Sequence, residues 1–228
     1  MNADSVSVVR APEVYLVFLR DRCRYIVMEH VAGDTVASRE LSRGKYTKDD
    51  LAAVAAAVKQ LISIRAPVGT PPGHIGGGSI CHDFFHECKS SLAYPTVGHL
   101  QDQINKVCFR SLSVPHTDVP AAPVANKLVA SQGLGVDYSS ETAEGLVLCL
   151  SDIDPSNFII DSKGRVFVIK FCRTCYMPPS YVSYSLASLK PFAQKVARLV
   201  KYPESANLHA MKIAAGQLVI TGNNALGK

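Results

Sequence analysis

Two runs rich in β-branched and aromatic residues, Glu13-Val-Tyr-Leu-Val-Phe-Leu19 and Cys23-Arg-Tyr-Ile-Val-Met-Glu29, are separated only by Arg20-Asp21-Arg22, and this spacing predicts a β-hairpin. From Thr47 the period changes. Leu51, Val54, Ala55, Val58, Leu61 and Ile62 fall at helical intervals, Thr47 and Asp50 have the form of a capping box, and Pro67 is expected to stop the helix. Residues 66–80 carry Gly or Pro at nearly every step and predict a long loop. A helix is expected around Val97 to Cys108, then a break bearing Pro115, Pro120 and Pro123, and a weakly defined helix from near Ala125. The apolar strand Gly145–Leu150 runs straight into the polar loop Ser151-Asp152-Ile153-Asp154-Pro155-Ser156-Asn157. Two further strands, Phe158–Ile160 and Arg165–Ile169, are turned by Asp161-Ser162-Lys163-Gly164. From Ser180 onward the pattern is helical, with apolar positions at Phe192, Val196, Leu199 and Val200, and a last helix is expected near Leu208 to Ile220.

The polar loop between buried strands is where chemistry is concentrated. Phosphoryl transfer in kinases needs a carboxylate near the accepting hydroxyl, an amide oxygen and a second carboxylate on Mg²⁺, and cations or N–H groups around the phosphates. Asp152 and Asn157 stand at a spacing suited to the first two of these, and Pro155 biases Asp154 toward an extended conformation. The bland alternative is a solvated turn held by Asp and Asn side-chain hydrogen bonds.

At this point the sequence resembles the aminoglycoside phosphotransferase family, especially its fungal branch of small kinase-like proteins. The matching stretches are Tyr25-Ile-Val-Met-Glu-His-Val-Ala-Gly33, Leu150-Ser-Asp-Ile-Asp-Pro-Ser-Asn-Phe-Ile-Ile-Asp161, and Gly164-Arg-Val-Phe-Val-Ile-Lys-Phe171 followed by Met177-Pro-Pro-Ser-Tyr181. The resemblance implies an α+β, protein kinase-like fold, with residues 1–33 as a two-stranded remnant of the amino-terminal lobe plus hinge and residues 34–228 as a mostly helical carboxy-terminal lobe. It implies Asp152 as catalytic base and Asn157 as a Mg²⁺ ligand. Met28, Glu29 and Val31 would form the hinge against the adenine of ATP, and the phosphoryl acceptor would be a hydroxyl on a small molecule.

Three departures from the family pattern bear on activity. The strand after the hairpin should end in a Mg²⁺-binding aspartate, and that position is Lys170; a hard cation requires oxygen donors, which an ammonium lacks. No glycine loop or ATP-anchoring lysine precedes the hinge, since the first Gly is Gly33 and the first Lys is Lys45, so the chain reads as an amino-terminally truncated member. Leu150 replaces the histidine usual two positions before the base. Loss of one well-placed donor to the reacting group costs about 3 kcal/mol, so three losses together predict impaired catalysis. In an alternative, Lys170 itself serves as the fixed cation in place of metal, because unit charges at about 4 Å interact by roughly 4 kcal/mol at an effective dielectric near 20.

Composition narrows the remaining classes. At 228 residues and 47% apolar, the chain suffices for one large domain or a domain with a small appendage. The net charge of +5 is scattered and does not form a phosphate-binding face, so nucleic acid is not an expected partner. No apolar run approaches a membrane span, and Met1 to Arg10 shows no leader-like pattern. Seven cysteines fit a reducing, cytoplasmic setting. Cys172-Arg-Thr-Cys175 has metal-site spacing but no second pair, and reads as packed thiols. His82-Asp-Phe-Phe-His86 lacks both a zinc-protease glutamate and a nameable third ligand. Gly76-Gly-Gly78 lacks the Lys-Ser or Lys-Thr of a phosphate cradle and reads as slack in a loop.

Three readings therefore stand side by side. One is a phosphotransferase relative that is inactive or weak as given. Another is a non-catalytic binding module, whose exposed hairpin pairs with a protein partner or a second copy. The third is a fragment of a longer phosphotransferase.

Overall fold

The computed structural model describes residues 9–111 and 122–221. Pro115 and Pro120, and nearly all of the stretch Met1 to Arg10, lie outside these residues. Along the chain run β1 (Val9–Arg10), β2 (Val14–Arg20), β3 (Cys23–Met28), β4 (Asp34–Thr35), α1 (Val36–Arg43), α2 (Lys48–Ile62), β5 (Gly73–His74), α3 (Val97–Ser111), α4 (Ala122–Ser131) and α5 (Ser139–Glu144). There follow β6 (Val147–Leu150), β7 (Phe158–Ile160), β8 (Val166–Val168), β9 (Thr174–Met177), α6 (Pro179–Leu186), α7 (Pro191–Val200) and α8 (Leu208–Thr221), with 3-10 turns at His86–Cys88 and Pro155–Asn157. Small separate sheets among helices make this an α+β protein, the class expected. Its chain divides into two compact units, one of Met1–Leu61, Ile153–Phe171 and Lys190–Lys201, the other of Ile62–Asp152, Cys172–Leu189 and Tyr202–Lys228.

In the first unit, β8 and β7 form the expected hairpin, β4 adds antiparallel to β7, and β1 adds parallel to β8. The hairpin turn is tied by Asp161, whose carboxylate accepts the Lys163 and Arg165 N–H groups at 2.9 Å and the Arg165 guanidinium at 2.6 Å. Burial opposes its charge, yet these bonds outweigh that and hold its pKa below the usual carboxylate value. Gly33 precedes β4 because only a residue without Cβ fits there: a methyl would lie 2.7 Å from the Ile160 carbonyl oxygen. The capping box of α2 forms, Thr47 Oγ1 accepting the Asp50 N–H at 3.0 Å. Asp50 is also paired with Arg39 at 2.9 Å and Arg43 at 3.2 Å, and Arg39 donates to the Ile160 carbonyl at 2.7 Å, which ties α1 to β7.

The hairpin predicted between residues 13 and 29 is also present, as an isolated two-stranded ribbon of β2 and β3 registered Val17 to Ile26 and Phe18 to Tyr25. Asp21 and Arg22 make its turn with φ of 50° and 62°, the left-handed pair that matches strand twist in a two-residue loop. Every residue of both strands is exposed.

In the second unit, α3, α4 and α8 pack with α6 around Leu100, Ile104, Met211, Leu218 and Tyr181, all fully or almost fully buried. The sheet order is β5-β9-β6. Several expectations need correction here. Pro67 does not end α2, which stops at Ile62 because the following backbone pairs with the edge of β6: Leu148 N–H donates to the Ile64 carbonyl at 2.9 Å and Ala66 N–H to Leu146 at 2.8 Å. The Gly/Pro-rich loop contains β5, which pairs with β9 at Tyr176 and Cys175. The helix read from Ser180 through Val200 is two helices, α7 restarting with Pro191 in its first turn, where a missing N–H costs nothing. Leu199 is exposed rather than packed.

Candidate functional site

Strand β6 is buried at all four positions, and its ladder to β9 continues one step further, Ser151 N–H donating to the Arg173 carbonyl at 3.2 Å. This step places Asp152 at the strand's end, beside the residue after Cys172. Arg173 there lies 2.9 Å from Asp83 Oδ1 and 3.8 Å from Asp152 Oδ1. Ser151 Oγ completes the group, donating to Asp83 at 3.4 Å and to the Arg173 carbonyl at 3.3 Å. Burial disfavours the guanidinium's charge, but Asp83 and Asp152 outweigh that and raise its pKa. The three charged side chains keep between 23% and 35% exposure, so the cluster is both held in place and reachable from solvent. Chemically it offers a carboxylate able to accept a proton and a fixed cation within ion-pair range of it.

Behind this cluster stands a sealed polar core. His82 is fully buried, and its Nδ1 accepts the Phe84 N–H at 3.0 Å, which leaves the ring proton on Nε2, 3.0 Å from Ser185 Oγ and 3.4 Å from Cys149 Sγ. Burial pushes the imidazole pKa down to about 4 and the Cys149 thiol up to about 12, so the pair is neutral and packs as structure. Cys175 is buried against Cys81, donating to its carbonyl at 3.3 Å, whereas Cys172 is exposed, so only one of the two expected packed thiols packs. Among the described residues no group of three or more His, Cys, Asp or Glu is placed to hold a metal ion.

Of the residues singled out in the sequence, Asp152 belongs to the second unit, and Met28, Glu29, Val31, Asn157 and Lys170 belong to the first. Asn157 is buried at the end of the 3-10 turn that Asp154 caps, Asp154 accepting the Ser156 N–H at 2.9 Å. The Asn157 carbonyl accepts the Ile169 N–H at 3.0 Å, which brings the backbone of Lys170 alongside, with its side chain exposed. The Asn157 side chain carries a neutral amide oxygen, and the Lys170 side chain carries no oxygen donor for a hard cation. Met28 ends β3 opposite Val14, and the Glu29 N–H is taken by the Glu13 carbonyl at 2.7 Å. Val31 is half-buried.

Sequence reasoning missed Arg173 and Asp83. Both lie inside stretches that drew notice for other residues, Cys172-Arg-Thr-Cys175 for its thiols and His82-Asp-Phe-Phe-His86 for its imidazoles. What hid them was β9: without its register to β6, nothing in the chain connects residue 173 to residue 152.

No family model matches the chain, and no curated protein matches it. Among solved structures it is similar to the ADP-bound aminoglycoside phosphotransferase APH(2'')-Ib, with 16% identity and a TM-score of 0.44 over 95% of this chain and 70% of that one. It is also similar to the streptomycin-ATP-APH(2")-IIa ternary complex, with 15% identity and a TM-score of 0.43 over 92% of this chain and 66% of that one.

Proposed function

We propose that the chain is a kinase-fold relative of the aminoglycoside phosphotransferases that keeps the place of the catalytic base at Asp152 but is impaired in Mg²⁺-dependent transfer from ATP to a small-molecule hydroxyl. The feature that carries this reading is Lys170 itself, which stands in the sequence where the resemblance puts a second metal carboxylate and follows Ile169, whose N–H donates to the Asn157 carbonyl. An ammonium there opposes a divalent cation and leaves the phosphates without the charge that phosphoryl transfer needs. On the adenine side, Glu29 would offer only its carbonyl, its N–H being used by Glu13, and Val31 and Met28 would complete the hinge. Residues 1–33 would then be the remnant lobe with the hinge, and residues 34–228 the helical lobe. Seven cysteines, none in a disulfide, support a reducing, cytoplasmic setting.

A second reading, a non-catalytic binding module, is favoured by the wholly exposed ribbon of β2 and β3. Thermal denaturation with ATP, with and without Mg²⁺, on the wild type and on Lys170→Asp separates the two. The expected result is no Mg²⁺-dependent stabilisation in the wild type and a gain in Lys170→Asp, since a ligand at about 100 times its Kd adds roughly 2.7 kcal/mol. A Mg²⁺-dependent rise in the wild type would overturn the impaired reading. No response to nucleotide in either protein would favour the binding module.

A further inference from the structure

The ribbon of β2 and β3 is exposed on both faces, and its apolar content is not confined to one of them. Ten large apolar side chains between Val14 and Met28 keep 40–73% of their surface in water. An alternating strand would present a polar face to solvent; here Val17 and Leu19 fall on one face and Leu16 and Phe18 on the other, so neither face is the wet one. A two-stranded ribbon is marginal alone, and its strands present two open edges of N–H and C=O groups.

The charges along the ribbon are segregated. At the tip stand Arg20, Arg22 and Arg24 with one carboxylate, Asp21, which gives three minus one, or +2. Asp21 is engaged by Arg20 at 3.6 Å. At the base stand Glu13 and Glu29, giving −2. The ribbon is thus complementary to itself when a second ribbon lies antiparallel to it, tip on base at both ends, and a parallel arrangement would stack like on like. Equal and opposite ends are what a two-fold interface requires, because the same patch must serve as both partners.

We propose that this ribbon is a homodimer interface, occupied by the same ribbon of a second copy of the chain in an antiparallel, two-fold arrangement. A partner ribbon covers one of the two faces, about five of these side chains, so the contact is on the order of 450 Å² per partner, about half of the roughly 800 Å² of a standard interface and the size of a weak, concentration-dependent association. Apolar surface supplies the association and the terminal charges set its direction.

Sedimentation velocity on the 228-residue chain at low salt tests this. The expected result is a concentration-dependent dimer that Val17→Lys abolishes. Reversing the tip, with Arg22→Glu and Arg24→Glu, raises the dissociation constant about tenfold or more, and so does reversing the base, with Glu13→Lys and Glu29→Lys. Combining the two reversals restores the dimer, because both ends change sign together. Far-ultraviolet circular dichroism must be unchanged in each variant. A chain that stays monomeric up to about 1 mM overturns the proposal, since even a weak contact worth about 4 kcal/mol would populate the dimer there. Failure of the combined reversal to restore the dimer overturns it too. So does a monomer whose ribbon amides exchange slowly with solvent, which would put a different occupant on the same surface.

Discussion

Arg173 is shared between two carboxylates, one at 2.9 Å and the other at 3.8 Å, and this sharing decides how the cluster responds to substitution. Asp83→Asn removes one partly exposed pair and should cost about 0.5–1 kcal/mol. Arg173→Ala costs more, because it leaves Asp83 and Asp152 as neighbouring like charges with no cation between them. In the double variant part of that loss returns. Urea midpoints across this double-mutant cycle, read at neutral pH, check the ordering, and equal costs for the two single variants would mean that Arg173 does not serve Asp152. At this scale the sequence was informative about residue type and poor about partnership. Asp152 and Asn157 are recognisable from the polar loop between apolar strands, but a carboxylate's ion-pair partner 21 residues away is set by strand register, which side-chain pattern does not reveal.

Gly33 shows how a single backbone position governs an element. With a Cβ it would approach the Ile160 carbonyl at 2.7 Å and the Ile159 side chain at 3.0 Å, so Gly33→Ala should separate β4 from β7 and destabilise the protein by about 1–3 kcal/mol. Chemical denaturation measures this, and a change of a few tenths would show that β4 moves aside freely. The elements read in advance were those whose signal lies within one run: the β2–β3 hairpin, the β7–β8 hairpin, α2, α3 and α8. Missed were the short helices α1 and α5, and also the two-residue strands β1, β4 and β5 together with β9, which exist only by virtue of a distant partner. Short strands carry too few residues for an alternation to register.

For the molecule as a whole, acid sensitivity follows from His82. Its folded pKa is lowered to about 4 from an ordinary 6.5, so the unfolded chain binds the proton more readily between those values. Its stabilising contribution is complete above pH 6.5 and is lost as the pH falls through that window, with a slope of up to about 1.4 kcal/mol per pH unit. Denaturation midpoints measured from pH 7.5 to 4 should show this limb, and a His82→Gln variant should show a flatter one. The long-range organisation was the least legible feature: the chain passes between its two units after residues 61, 152, 171, 189 and 201. Local pattern cannot announce such passages, since each joins segments that share a core only after folding.

The cysteines lend that two-unit organisation a practical side. Cys108, Cys149 and Cys175 have thiols driven up to about 12 by burial, and only Cys23 and Cys172 are openly exposed. Cys23 sits in one unit and Cys172 in the other. Brief treatment with a maleimide dye pair at neutral pH would therefore tag one address on each half of the natural chain without any engineered handle, and energy transfer between the two dyes would report directly how far apart the halves ride in solution.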